Sequence, residues 1–530
     1  MPTTSRFLRS LAAVNISALA ASTVLAPLLL AASDAAAERP GPSARLFKEP
    51  YYACTTNYYV SLTGSDANSG TSPNAAWQTL QHANNALPQG GSAAGTCINV
   101  APGTYNGVSL SNGGNLASAH GYVVYRCTSL DACTITGNAG IHGAEAFETA
   151  ETATPPNYLM LDGFILNGSN NSSNGVGVSV WNGNNGTTLA AHHIWILNSE
   201  IEGFGQSGIG AAASEYYYFI HNRVFDNSNL NCSAQGSGIA INIMHSVPGY
   251  QPTADDMKNP NPMLGPTWVV GSSFFHNVVA WNVIYNNALT QCGTPNKPTD
   301  TDGNGLIFDS NLTGNGDTQN YLSPSLTAFN VVYNNGGGGI HLFFSADVTV
   351  ANNTCYNNDI DPGDGGSGRA CMDDSNGYSN TFINNIAVGI PMTPNGGCAF
   401  GVAPYAQFNS ATLGSPASGM PADTWSHNIT QLQGGNMSCW ASFGQDAPTG
   451  ENLSFQADTY SCTSNKCATN PGWTAVGTET VGTETTPPVA ANFGLLTGSP
   501  AIGYGLTEPY LPAQSVDAGA CYHTIGVCPK

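Results

Sequence analysis

Charge is what this chain has least of. Only 8% of its 530 residues are Asp, Glu, Lys or Arg, and the bases are the scarcer kind, 12 against 33 acids, for a formal net charge of −21. So few cations leave no basic footprint to neutralise phosphates, and nucleic acid is not expected as a partner. A helix-rich domain covers its solvent faces with Glu, Lys and Arg, so their scarcity argues against one. Beyond the first few dozen residues no apolar run is long enough to cross a bilayer. None of the 14 cysteines is paired at C-x-x-C spacing, which excludes a zinc ribbon or a thioredoxin-like site.

In place of charge the chain carries Asn, Gly, Ser and Thr, the surface chemistry of strands and turns. Hydrophobic residues at 41% separate it from a disordered polar chain and predict a packed core. Arg6 and Arg9 precede an Ala- and Leu-rich run to Leu30, followed by small residues, which reads as an export signal over residues 1–37. The mature protein is then expected outside the cell or in the periplasm, soluble, monomeric and not held to a membrane. The cysteines fit an oxidising compartment, and Cys127 with Cys133, Cys462 with Cys467 and Cys521 with Cys528 lie close in sequence. Cys232 and Cys292 bracket a long loop that a disulfide between them would hold down.

The fold is written in a repeat. Trp281-Asn-Val-Ile-Tyr-Asn-Asn, Phe329-Asn-Val-Val-Tyr-Asn-Asn and Asn352-Asn-Thr-Cys-Tyr-Asn-Asn are variants of one phrase, with weaker copies beginning at Leu197, His221 and Asn384. A second phrase follows many copies: Ser207-Gly-Ile, Ser237-Gly-Ile, Asn304-Gly-Leu and Gly338-Gly-Ile. Neighbouring copies are roughly two dozen residues apart, the length of one β-helix coil. Alternate Val, Ile and Phe would face inward, Asn and Gly would take the left-handed turns, and Asn side chains stacked on successive coils would bond in a ladder. The expectation is an all-β, single-stranded, right-handed parallel β-helix. An N-terminal lead-in covers 38–57, the β-helix 58–390, and late coils with a disulfide-stapled cap 391–530.

Tyr59-Val-Ser-Leu-Thr-Gly-Ser-Asp-Ala-Asn-Ser-Gly-Thr-Ser-Pro, Trp77-Gln-Thr-Leu-Gln-His-Ala and Ile98-Asn-Val-Ala-Pro-Gly-Thr-Tyr read as strand, loop, short helix and strand. This opening resembles the first coil and capping helix of pectate-lyase-like β-helix proteins, including the calcium-dependent family 9 polysaccharide lyases. The resemblance runs from Tyr58 to Val388 and implies, beyond the fold, a lysine base beside an aspartate-bound calcium.

Chemistry on such a rod sits on loops along one flank. The interruption from Met244 to Gly271 holds His245, Asp255, Asp256 and Lys258. The one from Gln291 to Asp309 holds Lys297 and Asp300-Thr-Asp302-Gly-Asn304-Gly305, with oxygen ligands at alternate positions around a glycine turn. Asp300, Asp302, Asn304 and Asp309 are therefore the candidate calcium ligands, although the same residues also make an ordinary polar turn. One coil on, His341 lies opposite in direction to Ile340, so it faces solvent if the isoleucine faces the core. A uronate lyase must neutralise a carboxylate, remove the C5 proton and help the leaving oxygen depart. Calcium fits the first task and His341, Lys297 or Lys258 the second; the resemblance points to Lys297. His245 and Arg369 are the candidate substrate-binding residues. The acidic balance repels a polyanionic glycan unless a cation reverses the local field, so calcium and an acidic polysaccharide substrate are expected together.

Three other readings stay open. A glycoside hydrolase would use Asp373 and Asp374, yet the Asn-Thr-Asp, Gly-His-Gly and Arg-Ile-Lys phrases of polygalacturonases are missing. A C5-epimerase would share the proton abstraction, but its Asp-Pro-His-Asp signature is absent. A glycan-binding adhesin would stack sugars on rings such as Tyr216, Tyr217 and Tyr218, of which one is expected inward and another outward.

Overall fold

The computed structural model describes residues between Cys54 and Cys521, in segments; the longest stretches outside the description within that span are 257–268, 288–301, 404–422, 442–451 and 467–492. Lys258, Lys297, Asp300, Arg369, Cys232, Cys292 and the export segment 1–37 all lie outside the described residues.

The described residues belong to one compact unit. It is a right-handed parallel β-helix with three long parallel sheets of eleven, ten and ten strands. Each coil visits them in turn. Thr96–Val100 belongs to the first sheet, Gly103–Asn106 to the second and Val108–Leu110 to the third. Within a sheet each strand pairs with those one coil before and after, so sequence order and spatial order coincide. The sheets continue past residue 390, through Thr424–Ser426, Ile429–Leu432 and Trp440–Ala441.

Alternation sorts the side chains. On the third sheet Ile239, Ile241, Leu306, Phe308, Ile340, Leu342 and Met372 enter the core that runs along the axis. Ala240, Ile307, His341 and Asp373 form the register column between them and face out. The open N-terminal end is closed by the helix Leu80–Ala86, capped by the Thr79 hydroxyl, which accepts from the His82 N–H at 3.1 Å. Gln81 and Asn84 then stand in for the missing coil. The Gln81 amide bonds both the N–H and the carbonyl of Ser109, and the Asn84 Oδ1 accepts from the N–H of Ser111 and Asn112. An unpaired strand edge is thereby blocked from pairing with another chain.

Two asparagine ladders run along the corners. Asn222, Asn282, Asn330, Asn353, Asn385 and Asn428 pass Nδ2–H to Oδ1 from coil to coil at 2.9 to 3.1 Å, and Asn227, Asn287, Asn335 and Asn358 do the same at 2.8 to 3.0 Å. Asparagine takes the left-handed turns at Asn286, Asn334, Asn352, Asn357 and Asn384, as expected, but these are not the asparagines that form the ladders. The ladder asparagines do not adopt the left-handed backbone. The residue before each does, including His221, Trp281 and Phe329 at φ of 58°, 60° and 58°. That conformation costs about 1–2 kcal/mol for a side chain with a Cβ. The ladder bonds on the next residue and the stacking of Trp281 on Phe329 at 4.8 Å offset it.

Disulfides join Cys54 to Cys97, Cys127 to Cys133 and Cys355 to Cys371, and Cys521 is also bonded. The Cys355–Cys371 bridge lies inside the coil and closes the loop ahead of the strand Ala370–Ser375. Replacing both cysteines by alanine is expected to lower stability by about 3 kcal/mol, the loop-closure entropy of a loop of this length. Urea unfolding of the oxidised protein measures it.

Candidate functional site

The third sheet brings His341 together with Asp309 and Asp373. In register, Ile307 pairs with His341 and His341 with Asp373, so imidazole and carboxyl project side by side from neighbouring coils. His341 Nδ1 lies 2.5 Å from Asp373 Oδ2. Burial alone would push the imidazole down, but the Asp373 carboxylate, with Asp302 and Asp309 behind it, raises it above its ordinary value. Asp309 stands in the neighbouring outward column, between Asn242 and Phe343. Burial raises its carboxyl, against the opposing hydrogen bond from the Ser310 hydroxyl and the nearby His341.

His341 points away from the core as the alternation requires, but it does not face solvent: it is 3% exposed. Ile307 and Asp373 flank it along the column, and the Phe343 ring lies 5.8 Å away. It is the floor of the site. The half-buried Asp302, Asp309 and Phe343 form the rim.

Two buried oxygens here have no hydrogen-bond partner, Asn304 Oδ1 and Asp373 Oδ1. Both point at Gly338, where an added Cβ would lie 3.3 Å and 3.2 Å from them. At Gly337 an added Cβ would lie 2.7 Å from Asn304 Oδ1 and 2.7 Å from the Asp302 carbonyl oxygen. The glycines thus leave a cradle walled by oxygen, and orphaned buried acceptors are costly unless a ligand, ion or water completes them. Hard oxygen donors are what calcium takes. Asp302, Asn304 and Asp309 are all on this flank, but among the described residues no three His, Cys, Asp or Glu side chains meet as a ligand group. The donors would be amide and carbonyl oxygens with one carboxylate.

The structure separates other candidates. His245 is buried, its N–H bonded to the Ser214 carbonyl, where the chain leaves the third sheet. Asp373 and Asp374 project to opposite sides of their strand. Asp374 replaces a core residue in the Leu342 column and accepts from Asn380 Nδ2 at 3.1 Å, so the two cannot work as a hydrolase pair on one face. The tyrosine triplet is buried throughout. Tyr217 enters the core, while the outward rings of Tyr216 and Tyr218 lie in a second apolar layer with Phe274, Tyr250 and Tyr510, so none offers a free face to sugar.

Sequence reasoning did not pair Asp373 with His341. The signal was coil register, since Ile340 and Met372 are equivalent core positions and the next residue of each strand must share the outward column. Phe343, whose ring reaches the rim, went unmarked for the same reason.

No protein-family model matches this chain, and no curated protein matches it in sequence. Among solved structures it is similar to the pectate lyase Pel9A at 14% identity and TM-score 0.44, over 89% of this chain and 97% of that one. It is also similar to the GH136 lacto-N-biosidase from Eubacterium ramulus (12% identity, TM-score 0.36, 72% of this chain and 64% of that one). A third is the mannuronan C-5 epimerase AlgE4 A-module of Azotobacter vinelandii (12% identity, TM-score 0.26, 61% of this chain and 88% of that one). These likenesses are too distant to speak to chemistry, and the β-helix assignment stands on the three parallel sheets.

Proposed function

We propose that this protein is an exported enzyme that cleaves a uronate-containing polysaccharide by β-elimination at the outer face of the third sheet. One observation carries the reading: His341, fixed at Nδ1 by Asp373, lies on the same flank as a cradle of unsatisfied oxygens. With Nδ1–H donated to the carboxylate, Nε2 is the nitrogen able to take the C5 proton. As that proton leaves, the C4–O bond breaks and the departing oxygen gains a proton, leaving a 4,5-unsaturated uronate. Asp309, whose carboxyl burial raises above its ordinary value, is the nearby candidate donor. Lys297 and Lys258 are alternative bases, and Arg369 is a candidate contact for the sugar carboxylate. The disulfides and the signal-like segment 1–37 support a place outside the cell or in the periplasm.

Asn304, Asp302 and Asp373 would hold a calcium ion, with Asp300 as a candidate to add charge. Bound there, calcium would neutralise the uronate carboxylate and make the C5 proton more acidic. Gly338→Ala puts a methyl group into the cradle, and Asp302→Ala removes a negative charge beside it while keeping the backbone carbonyl. Each is expected to weaken calcium binding about tenfold or more, measured by calorimetry without substrate. Unchanged affinity in both removes the ion from this place.

Incubating the protein with glucuronan, alginate or pectate and calcium tests the reaction. The expected result is absorbance from unsaturated uronates. Reducing ends without it would mean hydrolysis, altered uronate composition without cleavage would mean epimerisation, and no change would mean binding alone; each overturns the reading.

A further inference from the structure

The residues that precede four successive strands of the first sheet are Tyr158, His193, Tyr216 and His276, and their rings stack at 4.4, 4.2 and 4.7 Å. Over this column lies the described part of the insertion that follows the third-sheet strand Ile239–Asn242, namely Met244–Thr253 with Asp256. It is fastened at two places. The Val247 N–H donates to Glu215 Oε1 at 2.8 Å, while Glu215 Oε2 accepts from His276 Nδ1 at 2.6 Å and from the Tyr321 hydroxyl at 3.1 Å. Asp256 reaches His193 Nε2 at 3.1 Å.

Hydrogen bonding fixes the protons at the second fastening. Asp256 Oδ2 accepts from the Tyr250 hydroxyl at 2.6 Å, the Thr253 N–H at 2.6 Å and the Thr253 hydroxyl at 2.8 Å, which makes the group a carboxylate. His193 Nε2 must then donate, and the neutral ring presents a bare Nδ1. That nitrogen lies 2.7 Å from His192 Nδ1, which therefore carries the hydrogen between them. His192 Nε2 is left bare on a half-buried ring. A further proton arriving there makes a cation among the rings of Tyr158 and Tyr250, with the nearest carboxylate one imidazole away. A proton on His193 instead would set two N–H groups head to head.

We propose that this segment is an acid-released cover, closed while the His192–His193–Asp256 chain holds its neutral-pH protons and opened by uptake of one more, which bares the aromatic outer face of the first sheet. The directions agree. Burial, with His193 alongside, pushes His192 down to about 3 from 6.5, and burial lowers His193 as well. Asp256 is pulled to about 2, the bonds from His193, Tyr250 and Thr253 outweighing its burial. Histidines depressed in the closed form contribute stability that is complete above their free value and lost as pH falls below it. Asp256 adds its loss only at much lower pH.

Hydrogen exchange of the whole protein, read at residues 245–253 and corrected for intrinsic rates, tests the cover. Opening is expected to rise by up to about tenfold per pH unit below about 6.5, as uptake of one proton requires, while residues 325–333 keep their protection. Asp256→Asn is expected to open the segment already at neutral pH, and His192→Gln to flatten its pH dependence. Protection that does not change with pH, or that is lost together with the core strand, overturns the proposal.

Discussion

Replacing His341 by alanine is expected to slow polyuronate cleavage by about a hundredfold to ten-thousandfold, the contribution of a positioned general base. The ring is buried and held by one strong hydrogen bond, so its orientation is set before substrate arrives. Asp373→Asn keeps the shape, but an amide cannot serve as the anionic partner of the imidazole. It is expected to reduce kcat about tenfold or more and to move the acidic limb of the pH–rate profile down, because the carboxylate that raises His341 is gone. A merely structural role would change stability and leave that limb in place. Initial rates of unsaturated-product formation, with unfolding curves as a control, decide between them. If His341→Ala retains full activity, a base other than His341 is required.

Asn330→Ala is expected to destabilise the protein by about 4 kcal/mol or more, among the largest effects for one side chain. Its Nδ2 donates to the Val279 carbonyl at 2.9 Å, the Thr327 hydroxyl at 3.0 Å and Asn353 Oδ1 at 2.9 Å, and its Oδ1 accepts from the N–H and Nδ2 of Asn282, both at 2.9 Å. Truncation orphans buried groups on both neighbouring coils, and each buried orphan costs about 1–3 kcal/mol. Asn286, by contrast, is half-buried and occupies the left-handed turn position at φ 55°. Asn286→Ala is expected to cost only about 1–2 kcal/mol, the strain of a left-handed alanine and the loss of one partly exposed hydrogen bond to Asp226. Urea unfolding of the two variants separates ladder from turn, and equal losses would mean the ladder carries no special weight.

The architecture was legible because each coil repeats one phrase, and a strand that returns after one period must lie beside its predecessor. The division of labour within the phrase was not. Asn takes the left-handed angle at Asn286, Asn334, Asn352, Asn357 and Asn384, but His221, Trp281 and Phe329 take it at the equivalent corner, since the ladder asparagine that follows fixes the corner from both adjacent coils. The outward direction of His341 followed from Ile340 by alternation. Its burial did not, because the covering groups Asp302, Asp309, Phe343 and Asp373 come from other parts of the phrase and from two other coils. Tyr216 and Tyr218 miscarried for the same reason: alternation gives the face on which a ring lies, and the insertion and C-terminal segment that pack over that face are distant in sequence.

Chemistry is expected at one place, the outer flank of the third sheet at His341 and Gly338. A crystal structure of His341→Ala with a uronate oligosaccharide and calcium tests it most directly. Sugar lying along the third sheet beside Phe343, with a uronate carboxylate at the oxygens around Gly338, is the predicted result. Sugar seated on the first or second sheet, with that cradle filled by water alone, would contradict the account.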